Sequence, residues 1–326
     1  METANVSENA TQMDNLDLER AIAEIERLMV GQRTVIRHTL AACFAGGHVL
    51  FEDVPGTGKT TLASAIATVL GLKFSRIQGT PDLLPSELVG TMVFHPGSGD
   101  FRFRQGPVFT QLLLVDEINR ATPRTQSALL EAMAEKHVTV DGTVHALEEP
   151  FFVMATANPI ESQGVFPLPE AQLDRFLVRL RLGYIPEEEE LEMLRRIRLG
   201  EEVTLHNQLD ATRVEQLKKR VKNIRVTEDV MKYIVRLCRE TRGHSEIELG
   251  ASPRSVLSLA AFSQALALLD GRSFVTPDDV QEAWLPVMDH RIKTVNRWRK
   301  ADTVEEASPL QQILTTVSVP TEFAGA

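Results

Sequence analysis

The stretch that decides the fold is His48-Val49-Leu50-Phe51-Glu52-Asp53-Val54-Pro55-Gly56-Thr57-Gly58-Lys59-Thr60-Thr61-Leu62. It opens as a short apolar strand over 48–51 and passes through a glycine-rich loop. It then enters a helix near Thr60, with Leu62, Ile66 and Val69 on one face and Gly71 as its stop. A triphosphate needs close backbone approach, which glycine allows. It also needs several converging N–H donors, a cation at the outer phosphates and a hydroxyl for Mg²⁺. Lys59 supplies the cation and Thr60 the hydroxyl. A tight turn that happens to carry Gly-Lys-Thr is the competing reading. The full glycine pattern also asks for glycine at position 53, where this chain has Asp53. Asp tolerates left-handed backbone better than most residues, but a carboxylate beside phosphates weakens binding unless it points away.

A second element speaks against the turn. Leu112 to Val115 is an unbroken apolar run ending in Asp116-Glu117, as a strand buried on both faces should read. In a doubly wound sheet, strand ends converge on one crevice. There an Asp can hold Mg²⁺, and a following Glu can polarise the attacking water.

Working outward, residues 1–15 read as a disordered polar tail. A helix follows, with Leu18, Ile22, Ile25 and Met29 in register and Gly31 at its end. Thr122-Pro123 caps a helix through Met133, and residues 138–144, centred on Asp141-Gly142, form a hairpin. Strands are predicted over 151–155, which is buried, and over 176–182, nearer an edge. The composition changes at Gly183-Tyr184-Ile185-Pro186, beyond which the pattern is helical to about residue 295 without a buried strand. Thr276-Pro277-Asp278-Asp279 is a strong helix start. The fold class is therefore α/β, with a central, mostly parallel sheet over 16–185 and an all-α domain over 186–326, hinged near Pro186.

The 326 residues carry a net charge of −10, which argues against a protein whose main task is gripping phosphate backbone. Cys43 and Cys238 lie far apart in apolar stretches. Neither CxxC nor HExxH occurs, so no zinc site is expected. The polar N-terminus lacks a signal core, and no apolar run reaches the length of a membrane helix, so a cytoplasmic location is expected. Glu187-Glu188-Glu189-Glu190 reads as acids at a helix N-terminus rather than a cation site. Gly243-His244-Ser245-Glu246-Ile247 lacks the second glycine of a nucleophile elbow.

With both motifs in hand, the chain resembles the AAA+ ATPases, and within them the MoxR family. Gly56-Thr57-Gly58-Lys59-Thr60 resembles Walker A and Asp116-Glu117 resembles Walker B. The phrases Leu113-Leu114-Val115-Asp116-Glu117-Ile118-Asn119-Arg120-Ala121, Gln126-Ser127-Ala128-Leu129-Leu130-Glu131-Ala132-Met133 and Leu168-Pro169-Glu170-Ala171-Gln172-Leu173-Asp174-Arg175-Phe176 are close to the family's wording. The likeness spans roughly residues 17–295.

It implies ATP and Mg²⁺ as cofactors, with Pro55, Gly56, Thr57, Gly58, Lys59, Thr60 and Thr61 around the nucleotide and Thr60 and Asp116 at the metal. It makes Glu117 the catalytic base, Asn158 the sensor-one residue and Arg175 the arginine finger reaching a neighbour's ATP, with Arg120 and Arg124 as rivals. Arg254 matches sensor two on the helical lid, so that ATP would touch both domains and favour their closure. Val30-Gly31-Gln32 matches the segment beside the adenine, which places Gln32 there.

The family also carries two inserts. Residues 92–104 and the hairpin over 138–144 match them. Phe101-Arg102-Phe103-Arg104 reads either as one packed and one solvated strand face or as a base-stacking surface. The implied function is ATP-dependent remodelling of partner proteins by a homo-oligomeric ring, hexameric, with von Willebrand A domain proteins as partners. The metal-site motif DxSxS of such domains is absent from this chain. The alternatives are a nucleic-acid motor and a nucleotide-gated scaffold with little turnover.

Overall fold

The computed structural model describes residues 2–54, 56–159, 164–200, 203–295 and 308–320. In chain order the first half holds α1 (Glu2–Glu26), α2 (Arg33–Phe44), β1 (Val49–Glu52), α3 (Lys59–Val69), β2 (Phe74–Gln78), α4 (Pro85–Val89), β3 (Gly90–His95), β4 (Asp100–Gln105), β5 (Leu112–Asp116), α5 (Pro123–Glu135), β6 (His137–Val140), β7 (Thr143–Ala146), β8 (Phe152–Ala157), α6 (Glu170–Leu173) and β9 (Val178–Leu180). The second half holds α7 (Glu187–Leu199), α8 (Ala211–Lys222), α9 (Glu228–Gly243), β10 (Ile247–Leu249), α10 (Pro253–Leu269), α11 (Pro277–Met288), β11 (Lys293–Thr294) and α12 (Pro309–Thr316).

Five strands form one parallel sheet in the order β2-β5-β8-β1-β9. The two apolar cores explain why β5 and β8 read as unbroken apolar runs. Leu112, Leu114, Phe152 and Met154 enter the core shared with α1, α2, α3 and the C-terminal helices. Leu113, Val115, Val153 and Ala155 enter the core under α5. A strand with apolar layers on both faces has no reason to alternate. β9 lies at one edge, β2 at the other.

The hairpins β3–β4 and β6–β7 stand outside this sheet as two-stranded ladders. Asp141 and Gly142 both have positive φ, as the tight turn between β6 and β7 requires. Phe103 stacks on His145 with ring centroids 3.9 Å apart, which ties the two hairpins together. Phe101 instead faces solvent against Phe94. Half of the aromatic stripe is thus packing.

Three elements differ from the sequence reading. The segment 1–15, read as a disordered tail, is helical from Glu2 onward and continues to Glu26. No apolar period marks it. Its inner end is held by polar partners: Asp14 is buried and pairs with Arg213 at 2.8 Å and Arg220 at 3.4 Å, and Asn15 donates to the Leu269 carbonyl. That helix also stops at Glu26, short of Gly31. Finally, α2 and β2 carry no sequence signal of the kind used above; β2 is an edge strand with every residue partly exposed.

The C-terminal helices pack against α1 and α2 within the first core. The only strands among the described residues there, β10 and β11, form a short partly exposed ladder. Glu187 to Glu190 form the first turn of α7. Thr276 caps α11 in a reciprocal box with Asp279, and Arg272 clamps that carboxylate with both terminal nitrogens.

Candidate nucleotide site

β1 runs into the loop and α3 begins at Lys59. Gly58 caps that helix with φ 92°, a conformation that strains any residue with a side chain, and so aims the first amides of α3 at the loop. Pro55 lies outside the described residues. Lys59 folds its ammonium onto the loop, 2.6 Å from the Val54 carbonyl and 3.3 Å from that of Asp53. Burial pulls its pKa below the ordinary lysine value, against the opposing pull of Asp53, Asp116 and Glu117.

The tips of β5 and β8 supply the acids and their supports. Asp116 is 7% exposed, and Thr60 Oγ1 lies 3.5 Å from its Oδ2. Thr156 Oγ1 donates to the Asp116 Oδ1 and accepts the Glu117 amide at 2.8 Å. Glu117 sits in the left-handed region at φ 53°. Its carboxylate accepts from Gln78 at 2.8 Å and from Arg120 at 3.3 Å. Gly79 makes this approach possible, because a Cβ there would lie 2.3 Å from the Glu117 carbonyl oxygen. Asn158, buried just beyond β8, lines the same cleft of about 390 Å³ together with Gly56, Gly58, Lys59, Thr60 and Thr61.

Thr60 and Asp116 present adjacent oxygen donors, the kind Mg²⁺ takes when phosphates and water complete its shell. No group of three or more His, Cys, Asp or Glu suited to a metal occurs among the described residues. Gly56, Thr57, Gly58 and Thr61 also line a second, apolar cavity of about 280 Å³, closed by Leu28, Met29, Val30 and the segment Gly183–Ile185. Its largely apolar walls beside the phosphate loop suit a nucleobase. Gln32 lines it too, but its side-chain amide is engaged with the Leu182 carbonyl at 3.2 Å, so it braces the wall.

Asp53 lines the phosphate cleft, but its carboxylate is engaged there. Its two oxygens accept the amides of Val54 and Gly183, each at 2.8 Å. Sequence reading also missed Arg76, whose Nε lies 2.6 Å from Asp116 Oδ2, and Gln78. Only their position on the strand beside β5 could have flagged them, and β2 itself carried no signal.

Arg175 and Arg254 lie elsewhere. They share a third cleft of about 380 Å³ with Asp174, Lys136 and Arg291, and none of its lining residues belongs to the other two cavities. Arg175 donates to the Leu130 carbonyl. Arg291 is almost fully buried and donates to Asp174 at 2.6 Å and to the carbonyls of Phe176 and Leu177. Arg254 Nε stands 4.0 Å from the other Asp174 oxygen. In this arrangement α10 packs on α2 and α8, and Pro253 starts it beside the Asp174 segment, away from the phosphate loop. Of the rival arginines, Arg120 is at Glu117 and Arg124 is exposed in the first turn of α5.

No helix among the described residues is long and apolar enough to cross a membrane. Residues 48–178 match the ATPase family associated with various cellular activities (AAA), and residues 239–313 match the AAA lid domain. The chain is 43% identical over 306 residues to the protein YeaC of Bacillus subtilis (strain 168), covering 94% of this chain and 95% of that one. It is 40% identical over 316 residues to the chaperone MoxR1 of Mycobacterium tuberculosis, covering 93% of this chain and 82% of the relative. A crystal structure from Cytophaga hutchinsonii superposes with a TM-score of 0.88 at 34% identity, covering 98% of this chain and all of that one. Phosphate loop, paired acids, helical lid and relatives agree, and the chain belongs to the MoxR family of AAA+ ATPases.

Proposed function

We propose that this chain hydrolyses ATP with Mg²⁺ and couples the cycle to remodelling of partner proteins, within a ring of identical subunits. Lys59 offsets charge on the outer phosphates, and Thr60 and Asp116 hold the metal. Glu117 accepts a proton from water as its oxygen attacks the γ-phosphorus, and Asn158 orients that water. The bond between the γ-phosphorus and the bridging oxygen breaks, giving ADP and phosphate, and Glu117 passes its proton to solvent.

The observation that carries this reading is the division of the site. One chain holds Lys59, Thr60, Asp116, Glu117 and Asn158 in one cleft and keeps Arg175 and Arg254 in another. A head-to-tail contact between copies would bring the two half-sites together, and repeated around an axis such contacts close a ring. We place six subunits in it and von Willebrand A domain proteins among its clients, on the likeness to the family. Specific ATPase activity should then rise with protein concentration as rings form; activity independent of concentration down to the monomer would sink the shared site. Glu117→Gln loaded with ATP should retain client proteins on an affinity support. Captured partners that lack von Willebrand A domains would overturn that choice of client.

A further inference from the structure

We propose that Arg76 is a resident counterion of Asp116 that Mg²⁺ must displace, so that this arginine sets how strongly nucleotide binding depends on the metal. The inference rests on reading the cleft as a Mg²⁺–nucleotide site.

The two Asp116 oxygens have different surroundings. Oδ1 accepts from Thr156, which also holds the Glu117 amide, and so belongs to the scaffold. Oδ2 is the oxygen next to the Thr60 hydroxyl, on the side where a metal would be shared between them. Arg76 donates to that same Oδ2 at 2.6 Å. Mg²⁺ holds its oxygens at about 2.0–2.1 Å and brings two positive charges. It cannot share this side of the carboxylate with a guanidinium.

The two partners are unequally free to move. Asp116 is a buried carboxylate, and such a group is costly to leave without a counter-charge. Lys59 acts on Asp116 only through space, since its ammonium hydrogen-bonds to the carbonyls of Asp53 and Val54 and not to the carboxylate. Arg76 stands on the edge strand β2 with its side chain 52% exposed, and can withdraw into solvent over its own aliphatic stem. A half-exposed cation on a buried anion is a partner that stabilises the empty site yet yields to a stronger one.

The test measures ADP binding to the full chain, once in EDTA and once at saturating Mg²⁺, for wild type, Arg76→Gln and Arg76→Lys. The informative quantity is the ratio of the two dissociation constants, from which any general loss of affinity cancels. Arg76→Gln has no counterion to displace, so the ratio should grow about three- to tenfold. Arg76→Lys keeps the charge without the fixed N–H geometry and should fall between. A ratio in Arg76→Gln equal to or below that of wild type overturns the proposal. As a second measurement on wild type, the Arg76 Nε–H resonance, assigned by its loss in Arg76→Lys, should move on adding Mg²⁺ and ADP but not ADP alone. An unmoved resonance overturns it as well. If wild type binds no ADP in either condition, the reading of the cleft itself fails, which is a separate result.

Discussion

The Asp53 carboxylate accepts the Gly183 amide at 2.8 Å and so joins the end of β1 to the segment that leaves β9 for α7. The substitution of Asp for the glycine of the full phosphate-loop pattern therefore has a structural use. Both oxygens are occupied by backbone amides, one of them in the segment that walls the apolar cavity. Asp53→Ala would leave the Gly183 N–H without its partner, at a cost of about 1–3 kcal/mol. For a chain of this size that corresponds to a fall of several degrees in Tm. ADP affinity should fall with it, because Gly183 and Tyr184 would no longer be held at the cavity wall. Asp53→Gly should behave like Asp53→Ala although it restores the glycine. Melting curves equal to wild type for both variants would remove any stabilising role from this contact.

Lys59 and Glu117 separate binding from turnover. A ligand that binds only the folded state stabilises it by about 2.7 kcal/mol at one hundred times its dissociation constant. Glu117→Gln should keep the ATP-induced rise in Tm and lose hydrolysis, since only the water-activating group changes. Lys59→Ala should lose both. Hydrolysis at the wild-type rate in Glu117→Gln would show that another group is the base.

Much of this site was legible because its chemistry is local. Glycines, Lys59 and Thr60 lie on one loop, and Asp116-Glu117 end a strand whose apolar run announces burial on two faces. What escaped is held by partners distant in sequence. Arg76 and Gln78 acquire meaning only because β2 pairs with β5 in register, Gln78 opposite Asp116. The inner end of α1 is fixed by Arg213, nearly two hundred residues away. The placement of Arg254 depends on how α10 packs, which no motif around Pro253 encodes.

Acid should destabilise the fold in two stages. His48 is buried between Phe151, Phe152 and the end of α5, and accepts the Val153 amide on Nδ1. Burial lowers its pKa from 6.5 to about 4, more than the Met133 hydrogen bond raises it, with Lys136 and Lys218 lowering it further. The unfolded chain then binds the extra proton first. Stability is complete above the unfolded pKa of 6.5 and is lost as pH falls toward 4, by about 3 kcal/mol at most. Glu149 adds a lower window: burial would raise its pKa, but Lys136 and Lys218 outweigh that and hold it at about 2 against an ordinary 4.5, so its contribution fades below 4.5. Urea midpoints between pH 7 and 4 should fall for wild type and fall less steeply for His48→Gln. Equal slopes for the two proteins would exclude His48 as the source.

The position of Arg254 beside Arg175 leads to the sharpest test of assembly. Arg291 fixes Asp174 from the lid side, and Asp174 stands between Arg254 and the backbone that carries Arg175. The guanidinium groups of Arg175 and Arg254 therefore belong to one face, and in a ring both should serve the neighbour's nucleotide. An arginine supplied in trans is worth on the order of 10³–10⁵ in rate, so Arg175→Ala and Arg254→Ala should each bind ATP and turn over poorly. Mixing either with Lys59→Ala, under conditions of subunit exchange, should restore activity. One interface arrangement in four then combines an intact phosphate loop with an intact arginine face, or roughly a quarter of the wild-type rate for a random ring. The decisive mixture is Arg175→Ala with Arg254→Ala. If both arginines act in trans, every interface lacks one of them and the mixture stays inactive. If Arg254 serves the nucleotide of its own chain, an Arg175→Ala subunit followed by an Arg254→Ala subunit makes a complete site and activity returns. A mixture that regains activity would thus reassign Arg254 to its own chain and require the lid to leave its packing on α2 during the cycle.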